Sequence, residues 1–171
     1  MVDSIKNQTI QIFACGGTID KVYFDAKSDY QVGEPQVRSI LELAGVLVDF
    51  QIDSLMSKDS LDITDQDRQQ IRQAVFDSPA RRILITHGTD QMPETARALQ
   101  GIAGKTIVLT GATTPARFSS SDAQFNVGCA LGAVQSLPEG IYFVMNGQIY
   151  PGHLVRKNRS LSRFEPIDSD P

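Results

Sequence analysis

A chain of 171 residues with 41% apolar and 21% charged side chains is long enough for one domain that buries roughly two thirds of its unfolded surface, which argues against a disordered or fibrous protein. The net charge of −4, with only Arg156, Lys157 and Arg159 close together among the cations, argues against a nucleic-acid partner, because neutralising phosphates takes clustered Lys and Arg. Residues 1–9 are polar, and no apolar stretch approaches membrane-spanning length, so a cytoplasmic protein with no membrane partner is expected.

In chain order, residues 9–14 form a short β-rich run that ends at Gly16-Gly17, a buried strand opening into a tight turn. Residues 20–34 are polar around Tyr23 and Tyr30, have no sustained period and read as a mobile loop. Pro35 suits a first helical turn, Val37, Ile40, Leu41 and Ala44 follow on one face, and Gly45 ends the helix. A strand over 46–52 is expected next. Thr64 and Asp67 have capping-box spacing before a helix with Ile71, Ala74 and Val75 inward, ended by Ser78-Pro79. Residues 83–86 are a compact strand leading through the turn 87–90 into a helix with Met92, Ala96 and Leu99, closed by Gly101. The pattern repeats with a strand over 106–110, a Thr/Pro/Ser-rich loop to Ser121 and a helix with Val127, Ala130, Leu131 and Val134 on one face. Residues 141–145 are the last strong strand, and Asn146-Gly147 turns into 148–150. The acidic, Pro-containing tail has no readable pattern.

Strands alternating with helices predict an α/β fold of doubly wound type, a parallel sheet with helices on both faces, as a single domain over 1–171. Ligands of such sheets bind beyond the carboxyl ends of the strands. Those positions hold Gly16-Gly17-Thr18, Asp59-Ser60, Gly88-Thr89-Asp90 and Gly111-Ala112, a set rich in glycine and hydroxyls. Neither GxGxxG nor GxxxxGK[ST] occurs, so a phosphate cradle is poorly supported. Cys15 and Cys129 are far apart, with no Cys/His ligand spacing, so small buried thiols are expected and neither a disulfide, a metal site nor a cofactor is indicated. With His87 and His153 the only histidines, a Ser-His-Asp triad has few candidates. A threonine hydroxyl needs a neighbouring base or relay to attack, which Thr89-Asp90 and a remote lysine supply, while backbone amides in the glycine-rich turns suit an oxyanion. These pieces fit acyl transfer from an amide.

Gly16-Gly17-Thr18-Ile19 and Ile85-Thr86-His87-Gly88-Thr89-Asp90 resemble the two signature segments of bacterial L-asparaginases. Further matches are Lys27-Ser28-Asp29-Tyr30 with Val32-Gly33, Gly111-Ala112 with Pro115 and Phe125-Asn126, and Met145-Asn146 with Gly152 and Lys157, so the resemblance runs through roughly Asn158. It implies an amidohydrolase that converts L-asparagine to L-aspartate and ammonia through an acyl-enzyme, without metal or cofactor. Thr18 is the implied nucleophile, with the catalytic Tyr30 on the mobile loop that closes over it and polarises its hydroxyl. Thr89, Asp90 and Lys157 are the implied second set, in which Asp90 also binds the α-amino group. Ser60, in the Asp59-Ser60 turn, matches the serine that holds the α-carboxylate, the backbone of Gly17, Gly88 and Ala112 completes amide recognition, and His87 is structural.

The sequence departs from that pattern at Leu61, where family members often place a polar residue, and it ends before the second domain that contributes to a neighbouring subunit's site in most such enzymes. Weakened asparagine binding, with glutamine a poorer substrate still, and a homo-oligomer, dimer or tetramer, are therefore expected. Two alternatives accompany the enzyme: a non-catalytic amino-acid-binding or regulatory module, and the ammonia-releasing component of a tRNA-dependent amidotransferase.

Overall fold

The structure, a computed structural model, describes residues 9–24, 29–161 and 163–167. Its centre is strand β1 (Ile10–Gly16), buried along its whole length. A strand covered on both faces has no polar side to show, which is why it reads as an apolar run rather than an alternation. β1 is flanked by β4 (Phe50–Lys58) and β5 (Arg82–Thr86), and the sheet continues through β6 (Thr106–Thr110) and β7 (Gly140–Met145) to β8 (Gln148–Pro151), in the order β4-β1-β5-β6-β7-β8. The first five run parallel, and β8 returns antiparallel to β7 through the Asn146-Gly147 turn.

Side chains sort onto the two faces with period two. Ile10, Ile12, Leu84, Val108 and Val144 face a layer made by α1 (Val37–Leu43) and α4 (Ala123–Ser136). Phe13, Ile83, Ile85, Ile107, Leu109 and Phe143 face α2 (Asp65–Asp77) and α3 (Met92–Ala98). Helices thus cover both faces, as expected of a doubly wound sheet. The chain leaves β1 toward β4 on one side and leaves β5 toward β6 on the other, so the carboxyl ends of β1 and β5 border the crevice where such sheets bind ligands.

Three segments differ from the sequence expectation. Residues 46–49 are not strand. Val46 and Val48 pack as loop side chains against the core, and the strand begins at Phe50 and runs on to Lys58. β4 is an edge strand, half exposed, and its polar residues Asp53, Ser54 and Ser57 hide it from an apolar-run criterion. The polar stretch expected as a loop contains an antiparallel hairpin, β2 (Lys21–Phe24) with β3 (Asp29–Val32), in which Tyr23 pairs with Tyr30. Lys27 and Ser28 lie outside the described residues. The tail also holds a hairpin, β9 (Val155–Asn158) with β10 (Arg163–Pro166), which stands apart from the main sheet.

Candidate active site

Three turns meet backbone to backbone above β1 and β5. Gly16 and Gly17 have φ of 82° and 89°, in the left-handed region that favours glycine, and the Gly17 N–H donates to Lys58 O at 2.8 Å. A Cβ on Gly17 would collide with the Gly88 backbone, and one on Gly88 would collide with Ser60. Gly17 and Gly88 therefore bring Thr18, Thr89 and Ser60 onto adjoining turns by removing bulk. The Gly17 amide is already committed, so this glycine contributes room rather than a donor. Among the described residues the Gly88, Thr89 and Ala112 amides have no backbone or side-chain acceptor, which leaves them free for a ligand oxygen.

The ammonium of Lys157, on β9, donates to Thr89 Oγ1 at 2.8 Å and to Asp90 Oδ1 at 2.7 Å. Residues 67 and 68 positions apart are thus brought together by the tail hairpin. Phe164 of β10 holds that hairpin on the sheet, its ring 4.4 Å from Phe143, while Tyr150 donates to Phe164 O and Arg97 to Val155 O. Ser60 is buried at 3% exposure in a 3₁₀ turn (Ser60–Asp62), and its Oγ accepts from Gln91 N at 2.8 Å, which leaves its hydroxyl proton to donate elsewhere. Asp59 caps that turn through Leu61 N and forms a 2.6 Å ion pair with Lys21 of the β2–β3 hairpin. Its pKa is lowered: the Lys21 ammonium and the backbone amides of Leu61 and Ser60 outweigh a desolvation that acts the other way.

Thr18 opens a second 3₁₀ turn (Thr18–Asp20) and is half-buried. Tyr30 is 44% exposed, its ring edge-on to Tyr23 and to Phe118 at centroid distances of 5.4 and 6.0 Å. Among the described residues no hydrogen bond joins Tyr30 or Lys157 to Thr18, so the two expected sets are neighbours on one crevice and not a single bonded relay. Asp20 anchors the hairpin. Its amide donates to Gly17 O, its carbonyl accepts from Gly33, and its Oδ1 accepts from Gln36 N at 2.8 Å. Burial pushes this carboxyl up to about 7, against the opposing hydrogen bond from Gln36.

His87 is fully buried between Gly88 O at 2.7 Å and Thr95 Oγ1 at 2.9 Å. Facing a carbonyl, Nδ1 is the donor and Nε2 the acceptor of the Thr95 proton, and burial lowers its pKa to about 4. It is a neutral brace for the turn. Beneath the Gly111-Ala112 turn, Asn126 donates to Gly111 O and accepts from Asn146 N. The sequence reading did not single out Asp20, Lys21, Gln91 or Arg159. Asp20, Gln91 and Arg159 each lie within two positions of an expected site residue, which was the available signal.

Two threonine hydroxyls, a lysine and free backbone amides meet at the switch point of a doubly wound sheet, an arrangement suited to an amide-cleaving α/β enzyme. The chain belongs to the asparaginase family: the family model described as Asparaginase, N-terminal matches residues 9–170. It is similar to L-asparaginase 2 of Escherichia coli, 30% identical over 180 residues that cover 95% of this chain and 50% of that protein. It is also similar to a component of the glutamyl-tRNA(Gln) amidotransferase of Methanococcus maripaludis, at 26% identity over 97% of this chain and 44% of that one. Among solved structures, the thermostable L-asparaginase of Thermococcus kodakarensis superposes with a TM-score of 0.81 at 28% identity, covering 95% of this chain and 52% of that chain. The chain spans about half the length of the relatives it matches.

Proposed function

We propose that this chain is a threonine amidohydrolase that cleaves the side-chain amide of a small acid, with L-asparagine as the reference substrate. The observation that carries the reading is the Lys157 ammonium on both Thr89 and Asp90, because a binding pocket has no need of a lysine bridging a hydroxyl and a carboxylate. In this reading the free amides of Thr89 and Ala112 receive the amide oxygen, Ser60 donates to the substrate carboxylate, and Thr18 Oγ attacks the carbonyl carbon. The Thr–O–C bond forms as the C–N bond breaks, and the hydroxyl proton leaves with the nitrogen as ammonia. Water then hydrolyses the ester, returns the threonine and yields the second carboxylate. Lys157, through Thr89, steadies the charge that moves during both steps. The Tyr30 hairpin contributes by shielding the crevice.

The test is ammonia release from L-asparagine by the purified chain. Release that disappears in Lys157→Met supports the reading, and binding of L-aspartate with no ammonia release selects a non-catalytic recognition module instead. A second reading, an ammonia-releasing component of a tRNA-dependent amidotransferase, is favoured by the similarity to the Methanococcus maripaludis amidotransferase component along 97% of this chain. Ammonia release that rises on adding the remaining amidotransferase components and charged tRNA selects it.

A further inference from the structure

Ser60 and the Thr89-Asp90 pair lie on different turns, and a ligand held by both needs those turns in a fixed relation. The contact between them runs through Gln91. Its amide donates to Ser60 Oγ at 2.8 Å, its side-chain nitrogen donates to Leu61 O at 3.3 Å, and its carbonyl accepts from Thr95 N as α3 begins. One residue therefore joins the turn after β5, the start of α3 and the 3₁₀ turn that holds Ser60. The Gln91 side-chain oxygen is held in turn by Arg68 of α2, whose Nη2 donates to it while Nη1 donates to Ile63 O at 3.3 Å. Arg68 thus reaches from the exit of the Ser60–Asp62 turn to the Gln91 side chain. The arginine side chain is only 11% exposed, and its Nε is buried with no acceptor among the described residues. Its carboxylate partner, Asp65 at 3.2 Å, stands in solvent, where an ion pair contributes little. A buried donor left unpaired is a cost that an apolar side chain on α2 would avoid. What the guanidinium adds is the tie between the two turns. The other side of the 87–90 turn is held separately by the β9–β10 hairpin, with Lys157 at 2.7 Å and Arg159 at 3.9 Å from Asp90 Oδ1.

We propose that Gln91 and Arg68 are positioning residues of the carboxylate subsite: Arg68 fixes the Gln91 side chain, and Gln91 fixes Ser60 against the Thr89-Asp90 turn so that the Ser60 proton points at a ligand carboxylate. On the amide-hydrolysis reading above, on which this assignment rests, Ser60 holds that carboxylate. With its Oγ accepting from Gln91 N, Ser60 has a single proton to give, and the direction of that proton follows the position of Gln91 N. Loosening the pair weakens substrate binding more than it slows bond-making at Thr18.

The experiment measures kcat and KM for L-asparagine by ammonia release with wild type, Arg68→Met, Gln91→Ala and Ser60→Ala, and with Arg68→Met and Gln91→Ala each combined with Ser60→Ala. Arg68→Met and Gln91→Ala are each expected to raise KM about tenfold, the scale of one hydrogen bond to a charged group, with kcat within about threefold of wild type. In the Ser60→Ala background each should have almost no further effect, because both act through that hydroxyl, whereas a role confined to packing gives the same loss with or without it. Arg68→Lys, which keeps one donor for Gln91, should recover part of the KM. Circular dichroism checks that each variant folds, and Gln91→Ala, at a half-buried turn position, carries the test by itself if Arg68→Met does not fold. An unchanged KM in the folded variants overturns the proposal and leaves amide hydrolysis standing, as does a KM increase that adds fully to that of Ser60→Ala. A wild type that releases no ammonia overturns the hydrolysis reading and the proposal with it.

Discussion

Asp20 and His87 are buried ionisable groups beside the crevice, and burial moves them in opposite senses. His87 is neutral when folded with a pKa of about 4, so below its unfolded value of 6.5 the unfolded chain takes up a proton that the folded one refuses, and stability falls as pH drops from 6.5 toward 4. Asp20, raised from 3.8 to about 7, keeps its proton longer when folded, so its contribution is full below 3.8 and is lost as pH rises toward 7. Asp20→Asn keeps an acceptor for Gln36 N and removes the buried charge. Urea unfolding at pH 8 should find this variant more stable than wild type by on the order of 1–4 kcal/mol, with the gain absent at pH 4. A second expectation concerns Thr89→Val and Lys157→Met, each of which should lower turnover by orders of magnitude, with effects that do not add because the two groups share one hydrogen bond. A steady-state double-mutant cycle measures this, and near-parental rates in folded variants would remove the pair from the mechanism. Thr18, Thr89 and Asp90 stand out in sequence because each follows a buried strand that ends at a glycine-containing turn, whereas Ser60 follows the half-exposed β4 and was carried by resemblance. Arg159 and Lys21 were not legible, because a charge that reaches a site from a hairpin looks in sequence like any solvated charge.

The capping of α2 ties a local signal to the crevice. Thr64 Oγ1 accepts from Asp67 N, and Asp67 accepts from Thr64 N at 2.8 Å and from Lys58 Nζ at 2.8 Å, so the helix start also fixes the end of β4 next to Gly17. The Lys58 ammonium and the Thr64 amide hold the Asp67 carboxyl down to about 2. Thr64→Ala should cost about 1 kcal/mol by chemical denaturation. Asp67→Ala should cost more, since it strips both the cap and the lysine. The Thr64-x-x-Asp67 spacing, the glycine stops and the buried runs of β1, β5 and β6 made these units readable from sequence. β4 was misplaced because Val46 and Val48 bury as loop residues, and β2–β3 and β9–β10 were missed because a two-stranded hairpin needs only one or two inward side chains, here Val155 and Phe164 in the second.

At the level of the molecule, α1 and the turn after it carry Leu43 and Leu47 at 89% and 98% exposure, beside an apolar groove of about 270 Å³ lined by Val127, Gly128 and Leu131 of α4. Apolar surface of this kind favours association. Sedimentation equilibrium should find a dimer or tetramer that Leu43→Glu with Leu47→Glu shifts toward monomer, and a wild-type monomer at assay concentration would count against it. The fold class was readable at this scale because alternating strands and helices admit few arrangements, whereas the meeting of positions 89 and 157 was carried by resemblance alone, since no local pattern encodes a contact that long. The β9–β10 hairpin has one more consequence, in the order of events. On the proposed amide-hydrolysis reading, a chain synthesised through β8 would carry both threonines and Ser60 before Lys157 has emerged, and competence is expected to arrive as a separate, late docking step in which Phe164 seats on Phe143. Phe164→Ala should therefore leave the far-ultraviolet spectrum of the sheet nearly unchanged while activity falls. During refolding of the wild type, ammonia release should return after the spectrum has recovered; simultaneous return would mean that hairpin and sheet form as one unit.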